Sequence, residues 1–361
     1  MGPHFGVTDI DFEDDNCIMT PLALACSRGH GEAVNLLLGA GARLDSGVAF
    51  GYPTPLGHAI NHGHHAVVQL FINLGPDSID LNSTMHCRRR PPLTAAARNG
   101  FYDTVDVLIR HGQGRIAVDT TKDINRRTPL SYAAQFGHYK IVQLLANLPA
   151  VNPDRKDKFG NTPLMLAAQN GHAEVVNLLM ALGPEKVNAN RTNVSGRTAL
   201  QEAVYHNRLE AVEALVAAPP DRVDVNVCTE AFTQTALAYA AEKGFEDIAR
   251  ALVSLGPGRV DLDARGWRNM TPLLCAAREG HVGIVELLTD YAQDVDANAV
   301  DVDGCTPLIC AVQNEHYETA EFLVGLGAER VDAGVADVRG FTARDYASRR
   351  GERFERLLPE P

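Results

Sequence analysis

Apolar positions recur along the chain in two alternating helical patterns. Around residue 170, Leu164, Ala167 and Ala168 give one short segment an apolar face of small residues. Val175, Val176, Leu178 and Leu179 then give a second segment its own apolar face, at the spacing of an amphipathic helix. The second pattern returns one unit earlier as Ile141, Val142, Leu144 and Leu145, and three units later as Ile284, Val285, Leu287 and Leu288. Between the two segments, Gly171 can take the left-handed conformation that ends a helix. Before the first stands Thr162-Pro163, a hydroxyl suited to capping a helix followed by a proline where no donor is needed. The pattern predicts a repeating pair of antiparallel helices.

The punctuation confirms the period. Thr-Pro-Leu occurs at Thr20-Pro21-Leu22, Thr54-Pro55-Leu56, Thr128-Pro129-Leu130, Thr162-Pro163-Leu164, Thr271-Pro272-Leu273 and Thr306-Pro307-Leu308. Variants fill the gaps at Pro91-Pro92-Leu93, Thr198-Ala199-Leu200, Thr235-Ala236-Leu237 and Thr342-Ala343-Arg344. The step averages about 36 residues, slightly above the 33 of the shortest helical arrays. Leu74-Gly75-Pro76, Leu182-Gly183-Pro184 and Leu255-Gly256-Pro257 stop the second helix, and stretches such as Val223-Asp224-Val225-Asn226 and Val295-Asp296-Ala297-Asn298 lead to the next threonine. The extra length of the period falls in this connection, read as a loop where insertions cost little.

The run from Thr162 to Leu179 resembles the ankyrin pattern T-P-L-x-x-A-A-x-x-G-H-x-E-x-V-x-x-L-L, and the resemblance covers nearly the whole chain. Its Leu-Gly-Pro/Val-Asp style is similar to ankyrin proteins of filamentous fungi. The resemblance implies an all-α repeat solenoid, each repeat a helix–turn–helix plus a β-turn finger, in a curved superhelical array. It implies a single domain, 1–361, with repeats 1–47, 48–84, 85–121, 122–155, 156–191, 192–228, 229–264, 265–299, 300–335 and 336–361. The polar segment from Asp9 to Asn16 and the last unit beyond Thr342 read as caps.

Composition narrows the function. A net charge of −12 over 361 residues argues against nucleic acid and anionic membranes as partners. No stretch of about 18 apolar residues is present, so no membrane span is expected, and the N-terminus lacks the apolar run of a signal peptide. The cysteines, Cys17, Cys26, Cys87, Cys228, Cys275, Cys305 and Cys310, are odd in number and form no CxxC pair. They read as reduced thiols of a cytoplasmic or nuclear protein.

The resemblance places partners in a concave groove lined by fingers and first helices. Carried to this chain, the finger tips include Arg88, Arg89, Arg90, Arg126, Arg127, Phe159, Phe232, Trp267 and Arg268. The positions before the helix-ending glycine include Arg98, Phe136, Gln169, Tyr205, His206, Glu242, Lys243, Arg278 and Glu279. The arginine cluster of the third and fourth fingers suits an acidic peptide or anionic ligand. It reads equally as a solvated finger neutralised by the protein's own acids. Trp267, the only tryptophan, is a natural interface anchor or a packing residue between fingers.

Histidines at the Gly-His position, His64, His138, His281 and His316 among them, read as local bonds between loops. His58 and His62 share a helix face, but no carboxylate or cysteine completes a metal set, so neither metal nor cofactor is expected. Walker, GxGxxG, HExxH and GxSxG motifs are all missing. This favours a non-enzymatic protein-binding adaptor, scaffold or inhibitor. The alternative is a small-molecule pocket in which Tyr205, His206, Glu242, Lys243 and Glu279 supply acid/base catalysis, of isomerase or cyclase type.

Overall fold

The computed structural model describes residues 10–11, 19–45, 53–83, 90–112, 114–291 and 295–358. Cys17, Cys87, Arg88 and Arg89 lie outside these residues, as does the polar opening segment apart from Ile10 and Asp11. Among the described residues there are twenty α-helices and no β-strand. A lone antiparallel bridge pairs Ala336 with Thr342.

Contacts divide the chain into two compact units, Met1–Ala167 with Ala181–Val187, and Ala168–Met180 with Asn188–Pro361. The first unit holds four helix pairs: α1 Pro21–Arg28 with α2 Gly31–Gly39, α3 Pro55–Asn61 with α4 His65–Asn73, α5 Pro92–Asn99 with α6 Tyr102–His111, and α7 Pro129–Gln135 with α8 Tyr139–Ala146. First helices stack in the order α1, α3, α5, α7, and second helices in the order α2, α4, α6, α8. Helices α9 Pro163–Gln169 and α10 Ala173–Ala181 are shared between the units.

The second unit continues with α11 Ala199–Tyr205, α12 Leu209–Val216, α13 Ala236–Lys243, α14 Glu246–Val253, α15 Pro272–Glu279, α16 Val282–Tyr291, α17 Pro307–Gln313, α18 Tyr317–Gly325, α19 Ala343–Arg350 and α20 Glu352–Leu357. Its first helices again stack on first helices and its second on second.

The repeating residues explain the stacking. The leucine after each proline, from Leu22 to Leu308, is almost wholly buried, and so is the alanine three positions on, from Ala25 to Ala311. The alanine's small side chain lets neighbouring backbones approach, and the leucine fills the seam. Burying a leucine contributes roughly 1.5–3 kcal/mol. In the tenth unit Arg344 replaces the leucine, and its guanidinium donates to the Leu358 carbonyl (2.9 and 3.1 Å), so the apolar row ends there. The threonines cap as expected: Oγ1 of Thr128 accepts the Ser131 N–H at 3.0 Å and that of Thr271 the Leu274 N–H at 3.2 Å. Pro91 holds the same place without a hydroxyl, so α5 starts without a side-chain cap.

Neighbours also complete one another's polar groups. Arg259 donates from Nη1 to the Val216 carbonyl (2.7 Å) and from Nη2 to that of Ala218 (2.8 Å), covering the C-terminal end of α12. Arg115, Arg222 and Arg330 do the same for Ile72, Met180 and Thr289. Asn226 donates to the Arg259 carbonyl (3.0 Å) and accepts the Asp261 N–H (3.0 Å), and Asn298 bridges Arg330 and Asp332 alike. The Val-Asp-x-Asn connection is therefore held on both sides, with Val223 and Val225 buried. It is more tightly specified than the tolerant loop expected from sequence.

Candidate functional site

Among the described residues, the finger tips and the C-terminal ends of the first helices carry most of the large exposed apolar side chains, although Leu36 of α2 is 76% exposed. In the first unit the fourth finger is closed by Asp123, whose Oδ1 accepts the N–H groups of Asn125 (3.2 Å) and Arg127 (2.7 Å) while Oδ2 accepts the Tyr132 hydroxyl (2.5 Å). Asp157 closes the fifth finger through the N–H groups of Phe159 (2.8 Å) and Asn161 (2.9 Å). Lys158 N–H donates to the Asn125 carbonyl (2.9 Å), joining the two fingers into one edge. On this edge Ile124 is 52% exposed, Phe159 44% and Phe136, at the end of α7, 40%.

The cations of this unit divide sharply. Arg127 donates from Nε to Asp157 (2.9 Å) and from Nη1 to Gln135 (2.7 Å); the arginine side chain is 12% exposed and the aspartate fully buried. Its charge is consumed within the protein, a correction to its placement in a solvent-facing arginine cluster. The cause is Asp157, thirty residues away. Arg126, next to it, is exposed and adopts φ 56°, with no side-chain partner among the described residues. Arg98 lies 5.0 Å from the Phe136 ring centre, Lys158 4.9 Å from that of Phe159, and Arg90 5.1 Å from that of buried Tyr132. A contact with a ring face does not by itself cancel a cation's charge, and Lys158 otherwise meets the Ile124 carbonyl.

In the second unit the expected residues fall into two groups. Tyr205 stacks on Tyr239 (5.3 Å), Phe232 lies 5.7 Å from Tyr239, and the Arg197 guanidinium sits 4.0 Å from the Tyr205 ring centre. Arg197 also pairs with buried Glu202 (2.8 Å), which accepts from Asn193 (2.6 Å) and faces His206 Nε2 at 3.5 Å. Gln169 contacts the same His206 nitrogen at 3.1 Å. Burial, joined by the charges of Arg197 and Arg208, outweighs Glu202 and holds the imidazole pKa below its ordinary value. Burial also raises the Tyr239 phenol. Arg197 thus fills the aromatic group from inside the protein.

The second group surrounds a cleft of about 140 Å³ lined by Gln234, Glu242, Trp267, Met270, Cys275, Arg278 and Glu279. Lys243 donates to Glu242 at 2.6 Å, and Gln234 donates to its other oxygen. Burial pushes the Glu242 pKa up, but the hydrogen bonds from Lys243 and Gln234 prevail and hold it below the ordinary value. The same bond raises the Lys243 ammonium. Arg278 is exposed and 3.5 Å from Glu279. Trp267 is 61% exposed, with Arg268 at 5.5 Å from its ring; Arg268 in turn is paired with Asp303.

Sequence reasoning missed a row that Trp267 belongs to. The fourth residue before the capping threonine is apolar and exposed at Val194 (70%), Val302 (53%) and Val338 (71%), as at Ile124. Aligning the repeats on their threonines would have revealed it. It also missed Glu202, which organises Arg197, Asn193 and His206 from inside α11.

The Gly-His histidines are structural, as expected. Nε2 of His64, His138, His281 and His316 contacts the carbonyls of Ser27, Arg98, Glu242 and Arg278 in the preceding repeat, at 3.0–3.2 Å. His62 Nδ1 lies 2.9 Å from the His58 carbonyl, and no group of three metal-binding side chains occurs among the described residues. Nor is any helix among them long and apolar enough to cross a membrane.

A family model described as ankyrin repeats (3 copies) matches residues 5–85, 56–157, 147–226, 218–299 and 258–335. Among solved structures, the chain is similar to the ankyrin repeat domain of Bcl-3, described as a unique member of the IkappaB protein family. The identity is 25% and the TM-score 0.58, over 65% of this chain and 99% of that one. No curated protein sequence matches.

Proposed function

The chain belongs to the ankyrin-repeat family, and from that premise we propose that it is a non-catalytic protein-interaction module, an adaptor, scaffold or inhibitor. Its partner docks in the groove formed by first helices and fingers, and presents acidic groups to the first unit. One observation carries the reading: finger tips, which solvent exposure would ordinarily make polar, hold Ile124, Phe159, Trp267, Val302 and Val338 exposed by 44–71%. Within the first unit Ile124, Phe136 and Phe159 share one edge, and grouped exposed apolar side chains mark interaction sites. The second-unit cleft beside Glu242 and Glu279, about 140 Å³, falls below the roughly 300 Å³ at which ligand pockets begin. That disfavours conversion of a small molecule by Glu242, Lys243 and Glu279 at this cleft. An odd number of cysteines with no CxxC pair supports a cytoplasmic or nuclear setting.

The test is affinity capture with the full chain against a Phe159→Asp/Trp267→Asp variant of unchanged circular dichroism. A captured protein that protects finger amides from hydrogen exchange, and is lost with the variant, is expected. Equal capture by both, with protection confined to the second helices, refutes groove docking.

A further inference from the structure

Resting on that reading, we propose that the fourth- and fifth-finger face of the first unit takes an acidic, amphipathic segment of the partner, its carboxylates interspersed with bulky apolar side chains. Charge points to the first half of this description. The stretches 90–101, 120–137 and 152–167 build the face, and their acids are Asp123, Asp154 and Asp157 alone. All three are buried. Asp123 is engaged by Tyr132 and two backbone N–H groups, and Asp157 by Arg127. No carboxylate of these stretches reaches the surface, whereas Arg126 and Lys158 do, without a carboxylate partner among the described residues. The face is thus locally cationic on a chain of net charge −12.

The apolar half follows from what stands between the cations. Ile124, Phe136 and Phe159 are exposed by 40–52%, and Lys158 reaches across from above Phe159 to the Ile124 carbonyl at 3.2 Å. A polyanion with no apolar groups would neutralise the charges and leave these side chains in water. A segment carrying both kinds of side chain satisfies both. The buried Arg127–Asp157 pair and the Lys158–Asn125 backbone bond fix the fingers before the partner arrives, which lowers the ordering cost of association.

The experiment is fluorescence anisotropy with the full chain and three labelled probes of equal negative charge: a Glu/Ser peptide, the same peptide with Leu and Phe between the acids, and a single-stranded oligonucleotide. The amphipathic peptide is expected to bind at least about tenfold more tightly than the other two. Ile124→Ser/Phe159→Ser should remove that advantage. Arg126→Glu/Lys158→Glu should weaken binding about tenfold or more and flatten its salt dependence. All four positions are exposed, and circular dichroism checks that the variants remain folded. Equal or tighter binding of the anchorless peptide or the oligonucleotide overturns the proposal, as does the absence of binding by all three, or no response to either variant. The same variants in the capture experiment separate the two claims. A partner still captured, with protection only on the second-unit fingers, sinks this assignment alone, whereas a partner that protects no finger sinks the underlying reading too.

Discussion

Single residues in this protein answer to neighbours a repeat away. Gly280 ends α15 at φ +80°, and a Cβ placed there would stand 2.4 Å from His316 Nδ1, because the histidine ring lies flat against it. Gly256 has nearly the same φ, +84°, with nothing within 4 Å of a Cβ. Alanine at Gly256 pays only the left-handed backbone strain, about 1 kcal/mol. At Gly280 it must also displace the ring, and the loss should reach roughly 2–3 kcal/mol. Urea unfolding of the two variants measures the difference, and equal losses would show that the ring yields freely. Sequence marks both glycines as helix terminators and cannot separate them. The same holds for Arg126 and Arg127, adjacent and chemically alike. One faces solvent and the other is locked to Asp157, because the deciding carboxylate belongs to the next finger. Local pattern reads a residue's own conformation well and its partners across the stack poorly.

At the scale of elements, the connection between repeats works as a ladder of asparagines in which some rungs are carboxylates, Asp119 paired with Arg155 and Asp263 among them. Asn226 and Asn298 each donate an amide N–H to a carbonyl and accept an N–H. Asp263 stands at the same place and has no amide to donate; its carboxylate accepts the Asp296 N–H at 3.3 Å. Burial raises its pKa above the ordinary value, against the pull of that hydrogen bond. A carboxyl whose folded pKa is raised opposes folding when ionised. The penalty is absent below the unfolded-state pKa near 4, grows as pH rises through the folded value, and is constant above it. Asp263→Asn should therefore stabilise the protein at pH 7 by about 0.5–1.5 kcal/mol, and the gain should shrink toward pH 4. Thermal melts across this range check both sign and trend, and a gain that persists undiminished at low pH would rule out the ionisation account. The helices themselves were legible, since threonine, proline, alanine and glycine each act within one turn. The ladder was not, because its bonds join residues more than thirty positions apart.

For the molecule as a whole, each unit is built from contacts between successive repeats, so stability should be local as well as global. Leu308 is fully buried where α17 meets α15 and α19. Leu308→Ala, a cavity worth roughly 2–5 kcal/mol, should raise amide exchange in α15, α17 and α19, while α3 and α5 of the first unit keep their protection. Exchange mass spectrometry reads this by helix, and a uniform rise would mean that the chain unfolds in one step. Function was legible at this scale only as a class. The repeat pattern pointed to a binding protein, but which finger faces carry free charge depended on pairings such as Arg127–Asp157. The arginines that close the helix pairs ending near Ile72, Met180, Val216 and Thr289 have one more implication. Since Arg259 covers the carbonyls of Val216 and Ala218, 43 and 41 residues upstream, the segment that can be exchanged by duplication or loss is not, at such a pair, the repeat as spelled from threonine to threonine. Recombination that falls between a second helix and the next arginine strands a row of bare carbonyls, whereas a breakpoint just beyond that arginine hands on a finished edge.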